Sequence, residues 1–163
     1  MSRFEDGLKI MEERCGNFKD NLISLATIAL DTSESGGPRP YVRDLDAFYE
    51  DGVFYVTTWA KSTKMQQIEK NNEVAFTVTN NWISGNAIGE NLGWVLDPKN
   101  AAIREKVRKA FEAWYDFAND ETSEDCVILA IRITKATIIV DHGADRYFMD
   151  FTNRTENKES RIK

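Results

Sequence analysis

At 163 residues, 42% apolar, 11% aromatic and 29% charged, the chain is sized for one globular domain that holds its core without disulfides or metal. Its net charge of −6 lacks the basic footprint of a nucleic-acid binder. No stretch reaches the ~18–20 apolar residues of a membrane-spanning helix, and none is expected.

Arg3 to Cys15 places Phe4, Leu8, Met11 and Cys15 at helical spacing among charges, and Gly16-Asn17 follows as a C-cap; a helix over about 3–15 is predicted. LISLATIAL (Leu22–Leu30) is long, apolar and partly β-branched, the pattern of a buried strand, and DTSESGGPRP is a loop. PYVRDLDAF (Pro40–Phe48) reads as a second strand, turning at Glu50-Asp51-Gly52 into a third, GVFYVTT (Gly52–Thr58). A short helix around Ser62–Lys70 ends at Asn71-Asn72. In EVAFTVTNN (Glu73–Asn81), Val74, Phe76 and Val78 alternate with Ala75, Thr77 and Thr79, the period of a half-buried strand. WISGNAIGEN is a further strand, where Gly85 and Gly89 predict a bulge or a close backbone approach. Their spacing does not fit Gly-x-Gly-x-x-Gly, so no dinucleotide fingerprint is read there.

Asp97-Pro98 supplies an N-cap and a first-turn proline for a long helix over about 98–118, with Ile103, Val107, Ala110, Phe111, Trp114 and Phe117 on one broad face. The acidic run NDETSED (Asn119–Asp125) is expected as a solvated loop. CVILAIRIT and ATIIVD read as two strands parted by a turn at Lys135, and DRYFMDF as a last strand. Residues 152–163 form a polar tail expected to fray, leaving 1–151 as the single domain. Strands that follow one another through short turns, with one long helix inserted late, predict an α+β fold whose antiparallel strands close into a barrel.

Few residues offer conventional chemistry. Cys15 and Cys126 lie far apart without metal-ligand spacing. The one histidine, His142, has no partner histidine for a metal and no Gly-x-Ser-x-Gly element for Ser-His-Asp catalysis. The acidic residues in MSRFEDGLKIMEERCG stand where a signal peptide needs a basic start and an apolar core, so a cytoplasmic protein is expected.

The stretch TTWAKSTK is the exception. It puts lysines around the start of a helix, against the macrodipole, at roughly 0.3–1 kcal/mol relative to an anion there. A helix N-terminus joined by hydroxyls and cations makes a phosphate-sized anion site. Thr58, Ser62 and Lys64 can converge on one anion, and Arg43 on the neighbouring strand can add a bidentate contact. Exposed turn residues would give the same spacing, and the pattern by itself does not choose.

The runs PYVR, VFYVTT and STKMQQIEKNNEVAFTV resemble the pyridoxamine 5′-phosphate oxidase-like, FMN-binding split-barrel superfamily, most of all its general-stress-protein-type branch. The resemblance spans roughly Leu22 to Val140 and is most specific over Pro40–Val78. It is carried by a Pro-x-x-Arg strand (Pro40–Arg43), an aromatic strand ending in Thr (Phe54–Thr58), a Ser-x-Lys turn (Ser62–Lys64) and a helix with an Asn-rich end leading to a Val (Ile68–Val74). It implies a six-stranded antiparallel split β-barrel with flanking helices, forming a homodimer with FMN between the subunits. It also implies an FMN-dependent oxidoreductase acting on a small-molecule electron donor and acceptor, its substrate unspecified. Carried over, Arg43, Ser62 and Lys64, with Thr63 in the same turn, would hold the FMN phosphate. Thr57 and Thr58 would lie beside the ribityl chain and ring, and Asn86 would fall near the ring.

Two departures narrow this. Thr63 stands where the oxidase has the arginine of Ser-Arg-Lys, and the C-terminal Arg-x-His element is missing, so pyridoxal-phosphate synthesis is not expected. A non-catalytic flavin-storage protein and a heme- or deazaflavin-binding barrel remain alternatives. No residue is assigned a catalytic role. Tyr41, Tyr55, Trp82 and Trp94 are candidates for the ring face or for the core.

Overall fold

The structure, a computed structural model, describes residues 2–157. Helix α1 (Arg3–Cys15) starts at a capping box: the Ser2 hydroxyl accepts from the Glu5 N–H, and the Glu5 carboxylate accepts from the Ser2 N–H. Its apolar face, Phe4, Met11 and Cys15, is buried in the main core.

Six strands carry that core: β1 (Asn21–Thr32), β2 (Pro38–Glu50), β3 (Val53–Trp59), β4 (Glu73–Val78), β5 (Ile83–Trp94) and β6 (Cys126–Val140). They hydrogen-bond in the cyclic order β1-β2-β3-β6-β5-β4, every pair antiparallel, so the sheet closes on itself. Closure removes the strand edges that would otherwise recruit other chains. Alternation decides what fills the barrel: Ile23 and Leu25, Phe54 and Val56, Val74, Phe76 and Val78, and Leu129 and Ile131 are all buried. This is the expected α+β split barrel with flanking helices. Strands β7 (Asp145–Asp150) and β8 (Thr155–Asn157) extend the sheet beyond β6. Helix α2 (Thr63–Lys70) buries Met65 and Ile68 in the barrel core. Among the described residues, no helix is long and apolar enough to cross a membrane.

Three expectations need correction. The turn predicted at Lys135 is a bulge inside an unbroken strand: Asn86 faces Lys135 but Ala87 faces Ile133, leaving Thr134 as the extra residue of β6. Neighbouring β5 runs straight past that point and supplies a pairing partner on both sides. The helix predicted over 98–118 is broken into a 3-10 turn (Pro98–Asn100), α3 (Ala101–Ala110) and α4 (Tyr115–Ala118). Across the break Phe111 and Tyr115 are buried with Phe48, and the Trp114 indole N–H donates to Asp20 at 2.7 Å. Phe117, expected on the buried face, is 96% exposed. Finally, the start of the tail is ordered as a turn followed by β8, paired to β7; residues 158–163 lie outside the described residues.

The closeness expected at Gly85 is real. A Cβ there would lie 2.0 Å from the Lys135 carbonyl oxygen and 3.0 Å from the Ala136 Cα, both backbone atoms of β6. Gly85→Ala should therefore cost about 2 kcal/mol or more in a denaturant melt. Gly37→Ala, where the nearest atom is the Ser33 hydroxyl at 3.7 Å, should stay within about 0.5 kcal/mol of the parent.

Candidate cofactor site

The start of α2 behaves unlike that of α1. Strand β3 ends at Trp59, and the turn after it is fixed by Ala60 N–H donating to the Asp125 carbonyl at 2.7 Å and Ser62 N–H donating to the Trp59 carbonyl at 3.0 Å. Ser62 occupies the N-cap, yet its side chain makes no capping bond, and no acidic residue stands in the first turn. Its Oγ is buried with no hydrogen-bond partner among the described residues. A buried, unpaired hydroxyl costs about 1–3 kcal/mol unless something absent from the protein satisfies it.

Two cations share this corner. Lys64 is half-buried and, among the described residues, has neither an ion pair nor a hydrogen bond. Burial, and then the charge of Arg43, lower its pKa. Burial also lowers the pKa of Arg43. The Arg43 guanidinium donates through Nη1 to Thr27 Oγ1 at 2.7 Å and the Leu25 carbonyl at 3.2 Å, with a long contact to the Tyr41 carbonyl at 3.5 Å. Through Nη2 it donates to Gln67 Oε1 at 2.7 Å, and it lies 4.7 Å from the centre of the Tyr41 ring. Burial and like charge thus disfavour the charged form of Lys64, and no carboxylate among the described residues forms an ion pair with Lys64 or Arg43.

Lys64 opens onto a cleft of about 580 Å³, within the range of a cofactor pocket. Strand β2 lines it with Asp44, Leu45 and Asp46, and β3 with Val56, Thr57, Thr58 and Trp59. The facing wall is Trp114, Ala118, Asn119, Asp120 and Ser123. Thr57 Oγ1 is also buried and adjoins the Tyr115 hydroxyl, which donates to Glu121 Oε1 at 2.9 Å. Asp46 is pushed above the usual carboxylate range by burial and by the charge and hydrogen bond of Asp20. Burial pushes the thiol of Cys126, also in the lining, up to about 11, so it stays protonated at neutral pH and is a poor nucleophile.

No family model and no curated protein matches the chain. Solved structures do. General stress protein 26 from Bacillus anthracis superimposes with a TM-score of 0.58 at 16% identity, over 78% of this chain and 89% of that one. A FAD-binding protein from Mesorhizobium loti gives 0.58 at 18% identity, over 79% and 90% of the two chains. A general-stress-protein-26-related protein of the pyridoxinephosphate oxidase family from Clostridium acetobutylicum gives 0.57 at 13% identity, over 93% and 96%. The fold is the pyridoxamine 5′-phosphate oxidase-like split barrel.

Within this split barrel, Thr57, Thr58 and Lys64 line one cleft. Ser62 caps the helix that carries Lys64, and the charge of Arg43 bears on Lys64. Thr63 is exposed and outside the cleft lining. Asn86 sits on β5 between Ala75 and Lys135 and is not among the lining residues either. None of the four aromatic candidates lines the cleft: Tyr41 packs on Arg43, Tyr55 packs against the cluster around α3, Trp82 is 59% exposed, and the Trp94 indole donates to the Glu121 carbonyl at 2.8 Å. Trp59 and Trp114 take that place. His142 lies in the turn after β6, outside the lining, so the cleft has no histidine to ligate a heme.

The acidic run 119–125, expected as a solvated loop, is anchored from inside. Arg104 grips Glu121 through Nε at 2.9 Å and Nη2 at 2.5 Å, Arg108 approaches at 3.2 Å, and the Glu121 side chain is 15% exposed. Hydrogen bonds from Arg104, then from Tyr115, with both arginine charges behind them, hold the carboxyl down from 4.5 to about 2. Because the folded value lies below the unfolded one, this stabilisation is full above about pH 4.5 and is lost as pH falls toward 2. Glu121→Gln should cost on the order of 2–3 kcal/mol at pH 7, and its deficit against the parent in denaturant melts should shrink between pH 4.5 and 2.

Proposed function

We propose that the chain binds FMN in this cleft and acts, as a homodimer, as a cytoplasmic flavin-dependent oxidoreductase on a small molecule. The carrying observation is the corner where the buried, unpaired Ser62 hydroxyl and the uncompensated charges of Lys64 and Arg43 meet. A phosphate monoester carries about −1.5 to −2 at neutral pH, which matches two cations.

The residues fit such a group. Lys64 and Arg43 would neutralise the phosphate, and Ser62 Oγ with the first-turn N–H groups of α2 would donate to its oxygens. Thr57 and Thr58 would donate to the polar edge of the rest of the molecule, and the indoles of Trp59 and Trp114 supply the apolar walls of the cleft. The bound flavin supplies the hydride or electron transfer. Missing the Arg-x-His element and the central arginine of Ser-Arg-Lys, the chain is not proposed as a pyridoxine-phosphate oxidase.

Support for the dimer comes from the outer face of β1 and β2, where Leu30 and Val42, 47% and 63% exposed, lie with Ala26 opposite Val42 and Ile28 opposite Pro40, an apolar patch of the kind a partner covers. Two free, buried cysteines fit a reducing compartment.

Flavin-fluorescence titration should show FMN bound more tightly than riboflavin. Lys64→Ala and Arg43→Ala should each remove about 1.5–3 kcal/mol of FMN affinity. No uptake of FMN would overturn the site, whereas uptake with no bleaching by any reduced nicotinamide or thiol donor would leave binding without turnover. Sedimentation showing a monomer with full FMN occupancy would reject the dimer.

A further inference from the structure

We infer that Thr27 and Gln67, which touch neither the cleft nor its contents, are positioning residues that fix which edge of Arg43 meets the anion. The inference rests on reading the corner as a flavin-phosphate site.

The two side chains are 1% and 3% exposed as whole residues, on β1 and on the buried side of α2 between Met65 and Ile68. A buried hydroxyl and a buried amide are costly where Val and Leu would fill the same space, so their pairing needs a reason. Thr27 Oγ1 donates to Gln67 Oε1 at 2.5 Å, and both oxygens accept from Arg43 at 2.7 Å. Three elements, β1, β2 and α2, thus meet in one closed network of side chains.

Guanidinium geometry then decides what is left. Arg carries five N–H bonds in one plane. The contacts to Thr27 and Leu25 take both Nη1 hydrogens, and Gln67 takes one on Nη2. The Nε–H and the second Nη2–H remain. They run parallel along one edge of the plane, the two-donor edge that matches two oxygens of a phosphate. Neither has a partner among the described residues. The Tyr41 ring, 4.7 Å from the guanidinium carbon, limits tilting of the plane. Because Gln67 lies on the helix that begins at Ser62 and Lys64, the same network sets the distance between Arg43 and the other phosphate donors.

The test is a pair of titrations, FMN and riboflavin, on the full chain and on Thr27→Val, Thr27→Ser and Gln67→Leu, with a thermal melt of each. Positioning predicts that Thr27→Val and Gln67→Leu lose roughly tenfold or more in FMN affinity, keep riboflavin affinity unchanged, and that Thr27→Ser restores FMN. Equal losses on both flavins, or none on FMN, would overturn the inference and leave the phosphate site standing. A parent protein that binds FMN no better than riboflavin would instead fail the phosphate reading, and this inference with it. Should Gln67→Leu fail to fold, the near-isosteric Thr27→Val decides.

Discussion

The cleft depends on the pairing of β3 with β6. That ladder runs without a shift from Val53 opposite Arg132 to Trp59 opposite Cys126, and with the β1–β4 pairing it joins the first three strands to the rest, closing the barrel. Closing there carries the end of β3 to a fixed point, so that Thr57, Thr58 and Trp59 face the loop before β6 and α2 begins beside Arg43 of β2. Without it the sheet would keep two open edges, and the residues of TTWAKSTK would form an ordinary exposed turn. The local sequence supplies donors; a pairing between segments far apart in the chain brings them to one corner.

The electrostatics of that site run against the stability of the bare fold. Ser2 shows that this chain builds a satisfied helix start where nothing else is needed: hydroxyl to N–H, carboxylate to N–H. At Ser62 the hydroxyl is unpaired, the first turn has no acid, and the charge of Arg43 weakens the preference of Lys64 for its own. A lysine misplaced on a helix dipole costs only a few tenths of a kcal/mol to about 1. The buried hydroxyl weighs more, at about 1–3 kcal/mol. The proposed phosphate dianion would offset them together, which would couple its binding to folding stability at this corner.

Much of the barrel is legible in the sequence because period-two burial is a local signal: Val74, Phe76 and Val78 declare an inner face with no knowledge of the partner strand. So is α1, from its spacing and its Gly16 cap. What stays hidden is whatever a distant partner decides. The Lys135 region carries strand residues on both sides, and only the presence of β5 turns a plausible hairpin into the Thr134 bulge. The apolar residues of 103–117 fit one helical stripe, yet the structure breaks the helix after Ala110 and leaves Phe117 in solvent. Phosphate-type donors are recognisable because they cluster in sequence. Gln67 is not, since a glutamine between Met65 and Ile68 reads as a surface residue until the β1 and β2 side chains are seen beneath it. Trp59 and Trp114 escape a reading that favours Tyr41, Tyr55, Trp82 and Trp94, because strand alternation does not say which aromatic faces a cleft.

The two walls of the cleft differ in how they respond to protons. On the loop side the charges are locked: Glu121 stays ionised down to about pH 2, burial raises the pKa of the Tyr115 hydroxyl beneath it, and the arginines that hold Glu121 are raised further by it. On the barrel side the shifts go the other way. Asp46 is raised by burial and Asp20, and Lys64 is lowered by burial and Arg43, so both move toward neutrality and both line the cleft. Burial and like charge thus disfavour the charged forms of Asp46 and Lys64 on the barrel side, whereas Glu121 on the loop side is held charged by its arginines. The division follows from which side chains found counter-charges within the chain and which were left for a ligand to satisfy.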